Sequence, residues 1–243
     1  MQRTMPPNQL FAAQVALLMR NLSVGTVLAH AAGVLVAVFL LWSTVDAPLL
    51  IGWVSFLLTV LVVRAWHMRR CLKLQTYKDN PRRVCLQLLL GIGVVGLTWA
   101  AGYIYVASVA PVGVQYIFLL IVVLIASLAL GASVVVREYY VTYLMTSLFP
   151  IGWWNLVHYW DYPFNSVVGI MLLLTCGVLI FVCNAVHESY ANMLQLNWQK
   201  DTLAAESSAL AERLKERNEE LDEVRQRLTE QARIDELTGL YNR

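Results

Sequence analysis

The sequence predicts an all-α fold, a six-helix transmembrane bundle whose last span continues into a cytoplasmic parallel coiled coil. Three observations lead to this prediction. Of the 243 residues, 58% are hydrophobic and only 14% are charged, whereas a soluble domain usually carries about 25% charged residues. The apolar residues are grouped in six long stretches between residues 22 and 187. Most acidic residues follow these stretches, and residues 178–238 contain neither Gly nor Pro.

Each apolar stretch is long enough to cross a membrane, because about 20 residues span ~30 Å of hydrocarbon at 1.5 Å per residue. Lipid offers no hydrogen-bond partner to an open backbone, so each stretch is predicted to be a helix. The six predicted spans are Leu22–Ser43, Leu49–Val63, Val84–Val106, Val114–Val136, Tyr139–Tyr159 and Asn165–Val186. The predicted organisation is an N-terminal segment (1–21), the six-span domain (22–187), a coiled coil (188–234) and a final segment (235–243).

Basic residues predict the orientation of the spans. Ten precede residue 189: Arg3, Arg20, Arg64, Arg69, Arg70, Lys73, Lys78, Arg82, Arg83 and Arg137. All lie in the N-terminal segment or in the loops after spans two and four, and the other three turns contain none. The positive-inside rule therefore predicts that both termini are cytoplasmic. The net charge of +2 gives no support to a nucleic-acid partner.

Residues 8–20 precede the first span and allow two interpretations. Phe11, Val15 and Leu18 share one helix face, which is typical of an amphipathic helix on the inner membrane surface. The segment is equally consistent with the start of a tilted first span.

The fifth span is the most polar of the six and ends in a candidate ligand pocket. Pro150 removes one backbone donor and is expected to kink the helix. The outer end carries the candidate pocket residues, which are Trp153, Trp154, Asn155, His158 and Asp161. The alternative interpretation is an interfacial aromatic belt with hydrogen bonds between helices.

Small residues in spans three and four are expected to let other helices approach closely. Gly91, Gly93 and Gly96 form the sequence GIGVVG, which matches a dinucleotide-binding fingerprint but lies inside an apolar span without the strand and turn that this fingerprint needs. Ser127 and Gly131 form a small-xxx-small pair in span four.

After the sixth span, apolar residues repeat every seven positions, as in a coiled coil. The predicted core positions are Leu196, Leu203, Leu210, Leu214, Leu221, Val224 and Leu228. Both copies would leave the membrane on the same side, which predicts a parallel homodimer. Polar residues such as Lys200, Ser207 and Arg217 interrupt the two rows, and this weak seam would suit a switch between registers as well as a simple spacer. The alternative is a solitary charged helix stabilised by pairs such as Glu223 with Arg227.

The sequence ends in DELTGLYNR, which resembles the first motif of GGDEF-family domains, the diguanylate cyclases. The family pattern Asp-x-Leu-Thr-Gly-Leu-x-Asn-Arg is matched by seven residues, which we call the GGDEF start motif: Asp235, Leu237, Thr238, Gly239, Leu240, Asn242 and Arg243. Gly239 can take φ > 0 freely and would end the long helix.

The resemblance implies that a catalytic domain would follow the motif, because the GGDEF signature itself does not occur in these 243 residues. In the family, two such domains bind GTP with Mg²⁺ and face each other, and each 3′-hydroxyl attacks the α-phosphate of the other GTP. The products are cyclic di-GMP and pyrophosphate. The 243 residues themselves are expected to hold no cofactor and no active site. The six spans resemble the MASE-type membrane sensors that precede such domains, and this resemblance implies a location in the bacterial inner membrane.

Two function hypotheses follow from the sequence. The first is a membrane sensory and dimerisation module that controls a C-terminal diguanylate cyclase through the coiled coil. Its input would be a small ligand at the candidate pocket or a membrane protein packed on the small-residue faces of spans three or four. The alternative is a membrane scaffold or partner-binding module that regulates a degenerate GGDEF or GGDEF-EAL output. The long arm and the start motif argue against a transporter.

Overall fold

A computed structural model describes residues 4–22 and 25–233, and all the regular structure in these ranges is helical. The GGDEF start motif lies outside the described residues. The described helices are α1 (Pro7–Leu22), α2 (Gly25–Leu41), α3 (Ala47–Leu74), α4 (Thr76–Asp79), α5 (Pro81–Val109), α6 (Val112–Ser133), α7 (Arg137–Thr146), α8 (Leu148–His158) and α9 (Pro163–Arg233).

Four of these helices are long and apolar enough to cross a membrane, namely α3, α5, α6 and α9. The bent pair α1 and α2 would add a fifth crossing if it forms one span. The chain is therefore a multi-pass membrane protein. Residues 139–159, predicted as one span, are instead divided between the two short helices α7 and α8.

The break between α7 and α8 follows from Pro150. Proline has no amide hydrogen to donate to the carbonyl four residues earlier, and its ring crowds that carbonyl. The carbonyl in question belongs to Thr146, which is the last residue of α7. Ser147 follows with φ −104° and ψ −73°, away from regular helix geometry. The helix is thus interrupted one turn before the proline.

Helix α5 is the centre of the bundle. It contacts α1, α3, α6, α7 and α8. Trp99 and Tyr103 on α5 are completely buried, with Phe118 of α6 packed against the Trp99 ring at a centroid distance of 5.8 Å. Buried residues of α5 recur around most of its circumference, as expected for a helix enclosed by others.

Helix α1 has a buried face, which contains Val15, Leu18 and Leu22. This face packs within the bundle, where α1 contacts α3, α5 and α6. The face predicted from Val15 and Leu18 is therefore present, and it is covered by protein.

The predicted close approaches at glycine are present in α5. A Cβ atom at Gly96 would lie 2.1 Å from Thr146 Oγ1 and 3.2 Å from the backbone nitrogen of Ser147. At Gly91 it would lie 3.0 Å from Cγ of Arg64. These positions are filled by side chains and backbone of the same chain. Gly131 of α6, in contrast, has no atom within 4 Å of a Cβ position.

The connection between α3 and α5 is compact. Gln75 ends α3 in the left-handed conformation with φ 54°, and its amide donates to the carbonyl of Leu72. A residue other than glycine in this conformation is uncommon, because Cβ crowds the backbone. The reversal lets the four-residue helix α4 begin at once and brings the end of α3 beside the start of α5.

Helix α9 is continuous from Pro163 to Arg233, as the lack of Gly and Pro after Val178 predicts. Its C-terminal part, from residue 195 onward, carries the seven predicted core residues, and their side chains are 49–64% exposed in the single chain. Glu223 and Arg227 form the expected pair one turn apart, with Nη2 and Oε2 separated by 3.5 Å.

Candidate functional site: a buried polar network

Three polar contacts join helices inside the apolar bundle, and we call them together the buried polar network. They are Arg64 with Tyr139, His30 with Trp99, and Tyr103 with Asn155. All six side chains are buried. Polar and charged groups are costly in a membrane-spanning protein, so those that occur there are candidates for function.

Arg64 is the only charged residue of α3 that is buried, at 7% exposure, among the residues that the structure describes. Nη2 of its guanidinium donates a hydrogen bond to the Tyr139 hydroxyl, and the guanidinium carbon lies 6.0 Å from the centre of the Tyr139 ring. Its Nε is buried without a hydrogen-bond partner. Within the described ranges, no carboxylate lies within salt-bridge distance of Arg64.

The position of Arg64 depends on Gly91. The arginine stem packs directly on the α5 backbone, and a side chain at Gly91 would meet its Cγ and Cδ at 3.0 and 3.1 Å. The stem passes over Gly91 in this way, and the charged head lies beside Tyr139 of α7. The small residue in α5 therefore places a cation inside the bundle.

His30 of α2 is tied to α5. The indole Nε1 of Trp99 donates to Nδ1 of His30 over 3.1 Å, so the imidazole accepts at this nitrogen. The edge of the His30 ring also meets Tyr143 of α7, with ring centroids 6.0 Å apart. The Tyr143 hydroxyl is buried without a hydrogen-bond partner among the described residues. Three helices thus meet at one imidazole.

Tyr103 and Asn155 form the third contact. The Tyr103 hydroxyl donates to Oδ1 of Asn155 over 3.1 Å, and Nδ2 of Asn155 donates to the carbonyl of Ile151 over 2.9 Å. Further along the same helix pair, the Tyr159 hydroxyl donates to the carbonyl of Ala107. These hydrogen bonds connect α8, and Tyr159 directly after it, with α5.

The five candidate pocket residues do not all point the same way. Asn155 is 1% exposed and faces α5, whereas Trp153 is 56% exposed. The rings of Trp154 and His158 stack at a centroid distance of 4.6 Å, and Asp161 lies on the surface. Trp154 Nε1 is buried without a hydrogen-bond partner. The structure therefore joins Trp154 to His158, directs Asn155 into the network, and separates Trp153 from both.

The sequence did not predict the aromatic members of this site, which are Trp99, Tyr103, Tyr139 and Tyr143. These aromatic residues fit any apolar span, so their hydroxyl and indole groups gave no periodic signal. The tyrosine hydroxyl and the indole N–H of tryptophan would have been a useful signal, because buried Tyr and Trp side chains usually have a hydrogen-bond partner.

The network can exchange hydrogen bonds between helices. It contains one guanidinium, one imidazole and two hydroxyls, but no buried carboxylate among the described residues. Its contacts occur at three levels of α5, near Gly91, at Trp99 and at Tyr103. A movement of α2, α3, α7 or α8 relative to α5 would therefore break at least one of them.

Comparison with known proteins gave no match to a protein-family model, to a curated sequence or to a solved structure.

Proposed function

We propose that this chain is the membrane sensory and dimerisation module of a diguanylate cyclase. One observation carries the proposal: a single helix, α9, continues from an apolar membrane-spanning segment to Arg233, and the GGDEF start motif begins two residues later in the sequence. In this proposal, changes within the bundle reach the catalytic domains through α9. Mg²⁺ and GTP bind in those domains.

Six crossings with both termini in the cytoplasm form part of the proposal. The contacts of α7 and α8 support counting the pair as one crossing. Tyr139 lies beside Arg64 at the level of Gly91, and Tyr159 reaches Ala107. The pair thus follows α5 over about 16 residues, or ~24 Å at 1.5 Å per residue. With α1 and α2 as another crossing, the total is six.

A parallel homodimer through α9 is the second part of the proposal. A lone helix gains little from seven large apolar side chains that face solvent, whereas a partner would bury them at roughly 25 cal/mol per Å². Their spacing of three, four or seven residues places them on one face. The exposed apolar rows therefore favour a paired α9 over a solitary one.

The buried polar network is proposed as the part that responds to input. Small-ligand input at the candidate pocket would act through Asn155, which connects the pocket to Tyr103. Input by a partner membrane protein would act at Ser127 and Gly131 of α6, because the small-residue face of α5 is occupied by α7 and Arg64. Substitution of His158, with partner binding retained, would separate these two routes.

The activity is tested with the whole gene product that contains these residues. Purified in detergent and supplied with GTP and Mg²⁺, it should release cyclic di-GMP and pyrophosphate, whereas residues 1–243 alone should release neither. Disulfides that lock different registers of α9 should raise the rate at some positions and lower it at others. A gene product that binds no GTP, or that only hydrolyses cyclic di-GMP, would contradict the proposal.

A further inference from the structure

The end of α3, helix α4 and the start of α5 enclose a cavity of about 350 Å³. Its wall includes two arginines, Arg70 of α3 and Arg83 of α5, together with His67 and Gln87. One acidic side chain, Asp79 of α4, also lines it. The cavity lies apart from the buried polar network, because none of the network residues contributes to its wall.

The charge around this cavity is strongly positive. Between residues 64 and 83 Asp79 is the sole acid, and the bases are Arg64, Arg69, Arg70, Lys73, Lys78, Arg82 and Arg83. The two cavity arginines present guanidinium groups, which bind phosphate oxygens through paired N–H donors. A group with negative charge is therefore the complementary occupant.

The cavity continues into an apolar surface on both helices. On α3, Val63, His67 and Arg70 share a face, and Val63 is exposed. On α5, Arg83, Gln87 and Leu90 share a face, and Leu90 is exposed. Because α3 and α5 run in opposite directions, the two basic positions lie together and the two apolar positions lie together further along the membrane-spanning segments.

An aromatic residue lies between the basic and the apolar parts of this surface. Trp66 is exposed on α3, and the guanidinium carbon of Arg70 lies 5.3 Å from the centre of its ring. Tryptophan and arginine commonly occur at the level of lipid headgroups. In the cavity, Thr76 also contributes a buried Oγ1 without a hydrogen-bond partner.

We propose that this groove binds one anionic phospholipid. The phosphate lies in the cavity between Arg70 and Arg83, and an acyl chain follows the apolar face toward Val63 and Leu90. A soluble phosphate would use only the basic half of the groove, whereas a phospholipid matches both halves. Basic pockets between membrane helices are suited to such headgroups.

The test measures lipid binding to the detergent-purified protein by native mass spectrometry, with thermal stability as a second readout. The probes are phosphatidylglycerol, phosphatidylcholine and inorganic phosphate. Arg70→Gln with Arg83→Gln should weaken phosphatidylglycerol binding at least roughly tenfold. Arg69→Gln with Lys73→Gln removes the same charge from exposed residues outside the cavity, and it should change binding less than about twofold.

Gln87→Glu gives a second variant at one exposed position, and its carboxylate should weaken phosphatidylglycerol binding while the protein stays folded. Equal losses in the cavity pair and the control pair would overturn the proposal. So would equal binding of phosphatidylglycerol and phosphatidylcholine. Stabilisation by inorganic phosphate as large as that by phosphatidylglycerol would assign the cavity to a soluble anion instead.

Discussion

At the scale of single residues, Trp99 connects two helices with one polar atom. Its ring packs against Trp53 and Phe118, and its Nε1 reaches across to His30 of α2. The indole therefore supplies both apolar packing and the donor that a buried imidazole requires. A phenylalanine could supply only the first.

Trp99→Phe should lower the free energy of unfolding by about 1 kcal/mol or more, because it leaves His30 Nδ1 buried without a donor. Denaturation of the protein in mixed micelles, followed by circular dichroism, measures the change. Trp153→Phe is the matched control, since the Trp153 side chain is exposed and makes no hydrogen bond to the described residues. Similar effects of the two substitutions would show that the buried indole and its hydrogen bond add no stability, and would contradict the prediction.

At the scale of helices, α8 and α9 approach each other backbone to backbone at Gly169. A Cβ atom at Gly169 would lie 2.8 Å from the carbonyl oxygen of Gly152 and 2.8 Å from the amide nitrogen of Leu156. Backbone atoms cannot move away by a rotamer change, as side-chain atoms can. The glycine is thus required where α9 begins its path past the kinked pair of α7 and α8.

Gly169→Ala should separate α8 from α9 and destabilise the protein by about 1–3 kcal/mol, the usual cost of overpacking. The same denaturation measurement applies. Gly177→Ala on the same helix is the control, because no atom lies within 4 Å of its Cβ position and alanine favours the helix. If Gly169→Ala is as well tolerated as Gly177→Ala, the crossing does not constrain the two helices.

The helices could be predicted in large part from the sequence, and their irregularities only in part. Apolar runs of sufficient length predicted α3, α5, α6 and the first part of α9, because span length is set by the bilayer. Pro150 predicted the break between α7 and α8. The left-handed Gln75 was not predictable, because glutamine carries no preference for φ > 0.

The candidate site could be predicted from the sequence only at polar residues inside apolar spans, where such residues are rare. Asn155 stood out in an apolar span, but the direction in which its side chain points depends on how the helices pack. Arg64 was assigned to the loop after the second predicted span, because it directly follows that apolar run. Its burial results from Gly91 on another helix, which no local pattern of α3 contains.

At the scale of the whole molecule, the apolar rows of α9 are exposed, and a single chain has no partner that would bury them. A weak seam with polar interruptions would let a modest input change the register, since a few kcal/mol is enough to shift a two-state equilibrium. The central claim is therefore that two copies pair along α9 in parallel.

Disulfide formation along α9 in native membranes tests this claim most directly. The native cysteines Cys71, Cys85, Cys176 and Cys183 are first replaced by serine, and single cysteines are then introduced. Leu210→Cys and Leu214→Cys, at core positions, should form covalent dimers readily under mild oxidation, whereas Glu212→Cys, on the opposite face, should not. Equal cross-linking at all three positions, or a monomer in every case, would contradict the pairing of α9.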